Sequence, residues 1–70
     1  MGGMERTTWI EIAPNQHMGF VDDYILGVEL NDNGKWDWDV SCYGNPVVAD
    51  ECDTERGAKT AASRFVRRPH

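Results

Sequence analysis

The chain has few of the residues that usually mark chemistry or membrane insertion. Its 70 residues include only two histidines, two cysteines and three prolines. No segment approaches the roughly 18 consecutive apolar residues of a membrane-spanning helix, and the first residues lack the apolar run of a secretory signal. We therefore expect a cytoplasmic protein without a disulfide framework and without membrane attachment.

Motifs for catalysis and for metal binding are also missing. General acid-base catalysis needs a titrating pair in a pocket, but His17 lies in a predicted loop after Pro14 and His70 is the last residue. The chain has no glycine-rich phosphate loop, no nucleophile motif and no His/Cys metal spacing. The sequence therefore predicts neither an enzyme nor a bound cofactor or metal.

Basic residues are scarce over most of the chain. Twelve acidic and seven basic side chains give a net charge of -5, and residues 1–55 contain all twelve acids with only Arg6 and Lys35 as bases. The other five bases all follow residue 55: Arg56, Lys59, Arg64, Arg67 and Arg68. This separation predicts two surfaces of opposite charge, and the negative total disfavours direct binding to DNA or to anionic membranes.

Alternating apolar residues predict strands in the first three quarters of the chain. We expect a loop at residues 15–22, which contain Gly19. The predicted strands are 7–13, 24–30, 36–43 and 47–52.

The turn between the second and third predicted strands determines which residues face each other. A two-residue turn at Asn33-Gly34 would pair Leu30 with Asp37, whereas a three-residue loop with Gly34 left-handed pairs Leu30 with Trp36. The second choice gives one wholly apolar face, because it also pairs Val28 with Trp38, Leu26 with Val40 and Tyr24 with Cys42. It places Glu29 opposite Asp37 on the other face.

The same alternation continues through a predicted turn at Gly44-Asn45 into the last predicted strand. It places Val47 and Ala49 on the apolar face and Asp50 on the acidic face, near Asp39. Cys42 and Cys52 are then roughly 16 Å apart, beyond the roughly 7 Å limit for a disulfide, so we expect free thiols.

The end of the chain predicts an amphipathic helix capped by Asp53 or Thr54. Apolar residues follow at helical spacing, and Pro69 ends the helix: Ala58, Ala61, Ala62, Phe65 and Val66. The predicted fold is α+β, a four-stranded antiparallel sheet in ββββα order with the C-terminal helix on its apolar face. A single domain is expected at residues 4–68, after a short appended leader (1–3) and before a tail (69–70).

Aromatic residues divide between the core and the surface in this arrangement. Trp36 and Trp38 face the helix, whereas Trp9 falls on the polar side of the first strand and is a candidate exposed anchor for a partner.

The acidic face admits two interpretations. The first interpretation is a solvated surface, because acidic residues aid solubility. However, like charges directly opposite each other cost stability, and alternate strand residues lie roughly 6.6 Å apart, about twice the 3.4 Å axial spacing of phosphates along a DNA strand. The second interpretation is therefore a phosphate-like binding surface, with these candidate residues: Glu11, Asp22, Asp23, Glu29, Asp32, Asp37, Asp39 and Asp50.

The small size, the sheet with one C-terminal helix carrying Ala58 to Ala62, and the sheet acids together resemble small phage-encoded inhibitors of the anti-CRISPR type. The resemblance covers residues 7–68 and rests on architecture and charge. It implies a stoichiometric inhibitor, monomeric or weakly dimeric, that binds the basic nucleic-acid-binding groove of a CRISPR interference complex as a DNA mimic in the host cytoplasm.

Two alternatives remain open at the level of the sequence. The first is a small adaptor or structural module that binds protein through an edge strand or through Trp9. The second is a weak nucleic-acid binder that uses the basic residues of the helix.

Overall fold

The computed structural model describes residues 7–67, which form an antiparallel sheet with one helix. The strands lie side by side in chain order and are followed by the helix: β1 (Thr8–Ala13), β2 (Gln16–Val21), β3 (Tyr24–Leu30), β4 (Trp36–Cys42), β5 (Asn45–Cys52) and α1 (Glu55–Val66). The predicted α+β class with a C-terminal helix is confirmed. The predicted number of strands is wrong, because the sheet has five.

The additional strand, β2, occupies the segment predicted as a loop. Pro14 and Asn15 form a two-residue connection between Ala13 and Gln16, with Asn15 in the left-handed region at φ 63°. Gly19 lies inside β2 opposite Trp9, and a Cβ atom at position 19 would lie 3.0 Å from the Trp9 ring. This glycine therefore permits close packing of an aromatic ring across a strand and does not mark a loop.

The predicted register of the central hairpin is confirmed. Leu30 pairs with Trp36 and Glu29 pairs with Asp37, and Gly34 is left-handed at φ 80°. Asn31 closes the loop, since its backbone N–H donates to the carbonyl of Lys35 at 2.8 Å.

The predicted register of the last strand is wrong. The turn is formed by Tyr43 and Gly44, which both have positive φ, so Cys42 pairs with Asn45, and a bulge beside Val40 then shifts the strand by one residue. A shift of one residue moves every side chain to the opposite face. Val40 consequently pairs with Val48, and the helix side of β5 carries Val48, Asp50 and Cys52 in place of Val47 and Ala49.

The helix begins as predicted. Thr54 is the N-cap, and its hydroxyl accepts a hydrogen bond from the Gly57 N–H at 3.0 Å. Glu55 and Lys59 form the predicted ion pair, with 2.8 Å between carboxylate and ammonium. The buried face of the helix consists of Ala58, Ala62 and Val66, whose small side chains let α1 lie close to the sheet.

The core lies between α1 and the central strands. Leu26, Val28 and Val40 are fully buried, and Trp38 is only 8% exposed. Trp36 is half-buried against the same cluster, so the predicted core role of both tryptophans is confirmed.

Trp9 is not the exposed anchor that the sequence predicted. It packs against the core from β1, and the Lys59 ammonium lies 5.4 Å from its ring centroid. The register also places His17 in β2 and under the helix, where its Nε2 lies 3.4 Å from the Glu55 carboxylate and its ring lies 6.4 Å from Trp36. His17 is therefore a packed residue with partners and not a loop histidine.

Three further features complete the fold. Cys42 and Cys52 are free thiols near opposite ends of the β4–β5 pair, opposite Asn45 and Trp36 respectively. No helix within residues 7–67 is long and apolar enough to cross a bilayer. The predicted leader, the tail, His70 and Arg68 lie outside the described residues.

Candidate functional site

The face of the sheet that points away from α1 is the candidate site, and we call it the open face. Because cross-strand partners share a face, the pairing assigns its residues directly, except Ile12, which lies at a bulge in β1 and lines the same depression as Met18. It contains two groups that lie side by side. The acidic patch consists of Glu29, Asp37, Asp39 and Glu51, and the apolar patch consists of Ile10, Ile12, Met18, Phe20 and Ile25.

Three acids of the acidic patch form one row across the sheet. Glu29 on β3 pairs with Asp37 on β4, which in turn pairs with Glu51 on β5. Adjacent strands are about 4.8 Å apart, so the row spans about 9.5 Å. Like charges opposite each other are unfavourable in a ladder, and this row contains two such pairs.

Asn31 organises the row from the β3–β4 loop. Its side-chain amide donates to Asp37 at 3.0 Å and to Glu51 at 2.7 Å, and its side-chain oxygen accepts from the backbone N–H groups of Asn33 and Lys35. One neutral residue therefore fixes the loop and holds two carboxylates together without removing their charge.

Asp39 lies in the next row, beside Gly27. A Cβ atom at position 27 would overlap the Asp39 carboxylate, so this carboxylate occupies the space that the glycine leaves free. Partial burial raises the pKa of Asp39 above its ordinary value, and the negative charge of Glu29 raises it further.

Within residues 7–67, no ion pair compensates the acidic patch. The ion pairs of this region join Lys35 to Asp53 and Lys59 to Glu55, and the His17 ring contacts Glu55 as well; none of these residues belongs to the patch. The hydrogen bond to Asp53 and the charge of Asp53 raise the pKa of Lys35 most, and the charge of Glu51 raises it further. The patch thus presents four carboxylates to solvent.

The apolar patch covers the other side of the open face. Ile10 and Ile12 on β1 are 50% and 55% exposed, and Phe20 and Ile25 on β2 and β3 are 43% and 38% exposed. Met18 is half-buried between them. Sequence reasoning missed this patch because β2 was not predicted, so Met18 and Phe20 were assigned to a loop.

A shallow depression of about 610 Å³ lies where the two patches meet. Its lining includes Ile12, Met18 and Gly27 together with all four acids of the acidic patch. The lining joins apolar and acidic groups in one depression, so it suits a ligand that carries both a cation and an apolar group.

The remaining predicted site residues do not join the acidic patch. The register places Asp50 beside Trp38 and Glu11 beside His17, which is the side of the sheet that faces α1. Their expected outward position in the ladder is wrong, and the bulge in β5 is the reason for Asp50, although Asp50 lines the same depression as Asp37 and Asp39. The same bulge brings Glu51, which was not predicted, into the patch.

The acids in the turns lie at two separate ends of the sheet. Asp22 and Asp23 form the β2–β3 turn, where a hydrogen bond with the Asp23 carboxylate raises the pKa of Tyr43. Asp32 lies in the β3–β4 loop, at the opposite end of β3. These acids border the two ends of the sheet and do not extend the row of three.

The basic residues of the described region lie mainly on the helix, on the other side of the sheet. Arg56, Arg64 and Arg67 are exposed. Lys59 instead forms an ion pair with Glu55 and contacts the Trp9 ring. The predicted separation of charge is realised only in part, because the helix side carries these bases together with Glu11, Asp50 and Glu55.

Replacing Asp39 with asparagine is expected to reveal the raised pKa as a stability difference. At neutral pH the variant should match or exceed wild type, by up to about 1 kcal/mol, because a partly desolvated charge and a like-charge contact are removed. Since the folded pKa is raised, protonation favours the folded state, so the wild-type disadvantage should disappear as the pH falls through that pKa. Urea unfolding of both proteins from neutral to acidic pH measures this, and a difference that grows on acidification would contradict it.

Comparisons of this chain with protein families, with curated proteins and with solved structures give no match. The function is therefore inferred from the open face itself.

Proposed function

We propose that this protein is a stoichiometric inhibitor that binds a nucleic-acid-binding protein through the acidic patch of its open face. The observation that carries the proposal is the row formed by Glu29, Asp37 and Glu51, which is exposed and has no ion-pair partner within the described residues. A basic groove that normally holds a phosphate backbone is the complementary surface.

The local structure supports a binding role for the row. Asn31 holds Asp37 and Glu51 in place before any partner arrives, so little side-chain freedom is lost on binding. Neighbouring acids of the row lie on strands about 4.8 Å apart, a spacing of the same order as the 3.4 Å axial step between phosphates of a DNA strand. The most specific form of the proposal is inhibition of a CRISPR interference complex in the cytoplasm of a phage-infected host, with binding and no catalysis.

Competition with duplex DNA tests this function. The immobilised protein should capture a host protein that excess duplex DNA releases, and the free protein should displace labelled DNA from that purified partner. The protein itself should not shift the anisotropy of labelled duplex DNA. Direct DNA binding would instead favour a nucleic-acid binder that uses Arg56, Arg64 and Arg67, and capture that DNA does not affect would favour an adaptor.

A further inference from the structure

The apolar patch has no role in a surface that only imitates phosphates. An antiparallel sheet with one solvated face normally alternates apolar residues inward with polar residues outward. Strand β4 follows this rule, with Asp37 and Asp39 outward, but β2 carries Phe20 outward and β1 carries Ile10 and Ile12 outward. Strands that are apolar on both faces are typical of sheets covered on both sides.

We infer that the open face binds a segment of another protein in which arginine or lysine lies beside large apolar side chains, and that both patches contact this segment at once. The inference rests on the proposed function and deepens it, because it specifies the chemistry of the partner. Within one row across the sheet, Met18, Gly27 and Asp39 are neighbours. Met18 and Asp39 are two strand spacings apart, so the cation and the apolar group of the partner should be about 9.5 Å apart.

The exposed area argues for both patches. Four apolar patch residues remain 38% to 55% exposed, which at about 200 Å² for each large side chain amounts to roughly 370 Å². A stable interface buries about 800 Å² on each partner. The apolar patch thus supplies about half of an interface, and the adjoining acidic patch with its depression supplies the natural remainder.

Charge argues against a second copy of this chain as the occupant. If two open faces stacked on each other, the acids of both copies would remain without cations, because the basic helix residues lie on the other side of the sheet. If the helix of one copy docked on the open face of another, the contact would be head-to-tail and would assemble a ring or an open chain of many copies. A partner that supplies its own cations avoids both problems.

The test is a selection of random displayed peptides against the wild-type protein. Selected sequences should combine arginine or lysine with large apolar residues. The double variant Ile10→Thr with Ile25→Thr keeps β-branched residues in exposed strand positions, so its thermal unfolding should remain cooperative. This double variant should lower the affinity for the selected peptides about tenfold or more, and the salt dependence of binding should not change. Tyr43→Asn, which removes an exposed aromatic from the β4–β5 turn, should leave the affinity unchanged.

Each other outcome decides against the inference in a distinct way. If the selected peptides are basic and bind the Ile10/Ile25 double variant as tightly as wild type, the inference is wrong and the proposed function stands. If the selected peptides are apolar and their affinity does not change when Asp37 and Asp39 are replaced, both the inference and the proposed function are wrong. If no selected peptide competes for the open face, the face does not bind such a segment. The same conclusion follows if sedimentation shows a wild-type dimer that the double isoleucine variant dissociates.

Discussion

Replacing Trp38 with alanine should leave the chain largely unfolded. The indole is 8% exposed and packs in the cluster between the sheet and α1. Truncating a buried tryptophan costs about 3 to 5 kcal/mol, and the total stability of a domain is typically about 5 to 15 kcal/mol, with small domains at the low end. The variant should therefore lose most of its native circular dichroism signal at room temperature.

Two controls make the Trp38 result specific. Trp38→Phe keeps an aromatic ring in the core and should retain a cooperative transition at lower temperature. Tyr43→Asn removes an aromatic that is 78% exposed, in a left-handed turn position that asparagine tolerates, and should unfold like wild type. Native-like unfolding of Trp38→Ala would show that the contact between sheet and helix does not hold the fold together.

Removing two charges from the acidic patch should separate binding from stability. The variant Asp37→Asn with Asp39→Asn keeps an oxygen at position 37 that can accept the hydrogen bond from Asn31. Its free energy of unfolding should be unchanged or higher, because repulsion with Glu29 falls. Affinity for the partner should fall by about 2 to 5 kcal/mol if the carboxylates are buried in the complex. Displacement of labelled duplex DNA measures the loss.

The chain provides a matched control for this variant outside the acidic patch and its depression. Glu11→Gln with Asp22→Asn removes the same number of charges, from the helix side of β1 and from the β2–β3 turn, where asparagine tolerates the left-handed backbone of residue 22. This control should inhibit like wild type, and wild-type binding should weaken with added salt because screening acts over about 8 to 10 Å. Equal inhibition by both double variants would mean that the acidic patch is only solvated surface, or that net charge alone matters.

Local sequence was sufficient for the central hairpin and for the helix. Of the two turns compared for β3 and β4, only the three-residue loop places Leu26, Val28, Trp38 and Val40 on a single face, and Gly34 supplies the left-handed residue which that loop needs. Thr54 and the alanine stripe likewise determine where α1 begins and which side it buries. The acids Glu29, Asp37 and Asp39 follow from the same alignment, so half of the open face was predictable.

Tertiary structure decided what local patterns left ambiguous. Gly19 has the same local signature in a loop as in a strand, and the side chains of Thr7 and Trp9, which leave no room for a Cβ atom there, explain the glycine inside β2. The composition of the acidic patch depended on a single bulge beside Val40, which exchanged Asp50 for Glu51. A bulge adds one unpaired residue with little trace in the sequence, yet side chains alternate with a period of two, so this one residue decides which face every later side chain occupies.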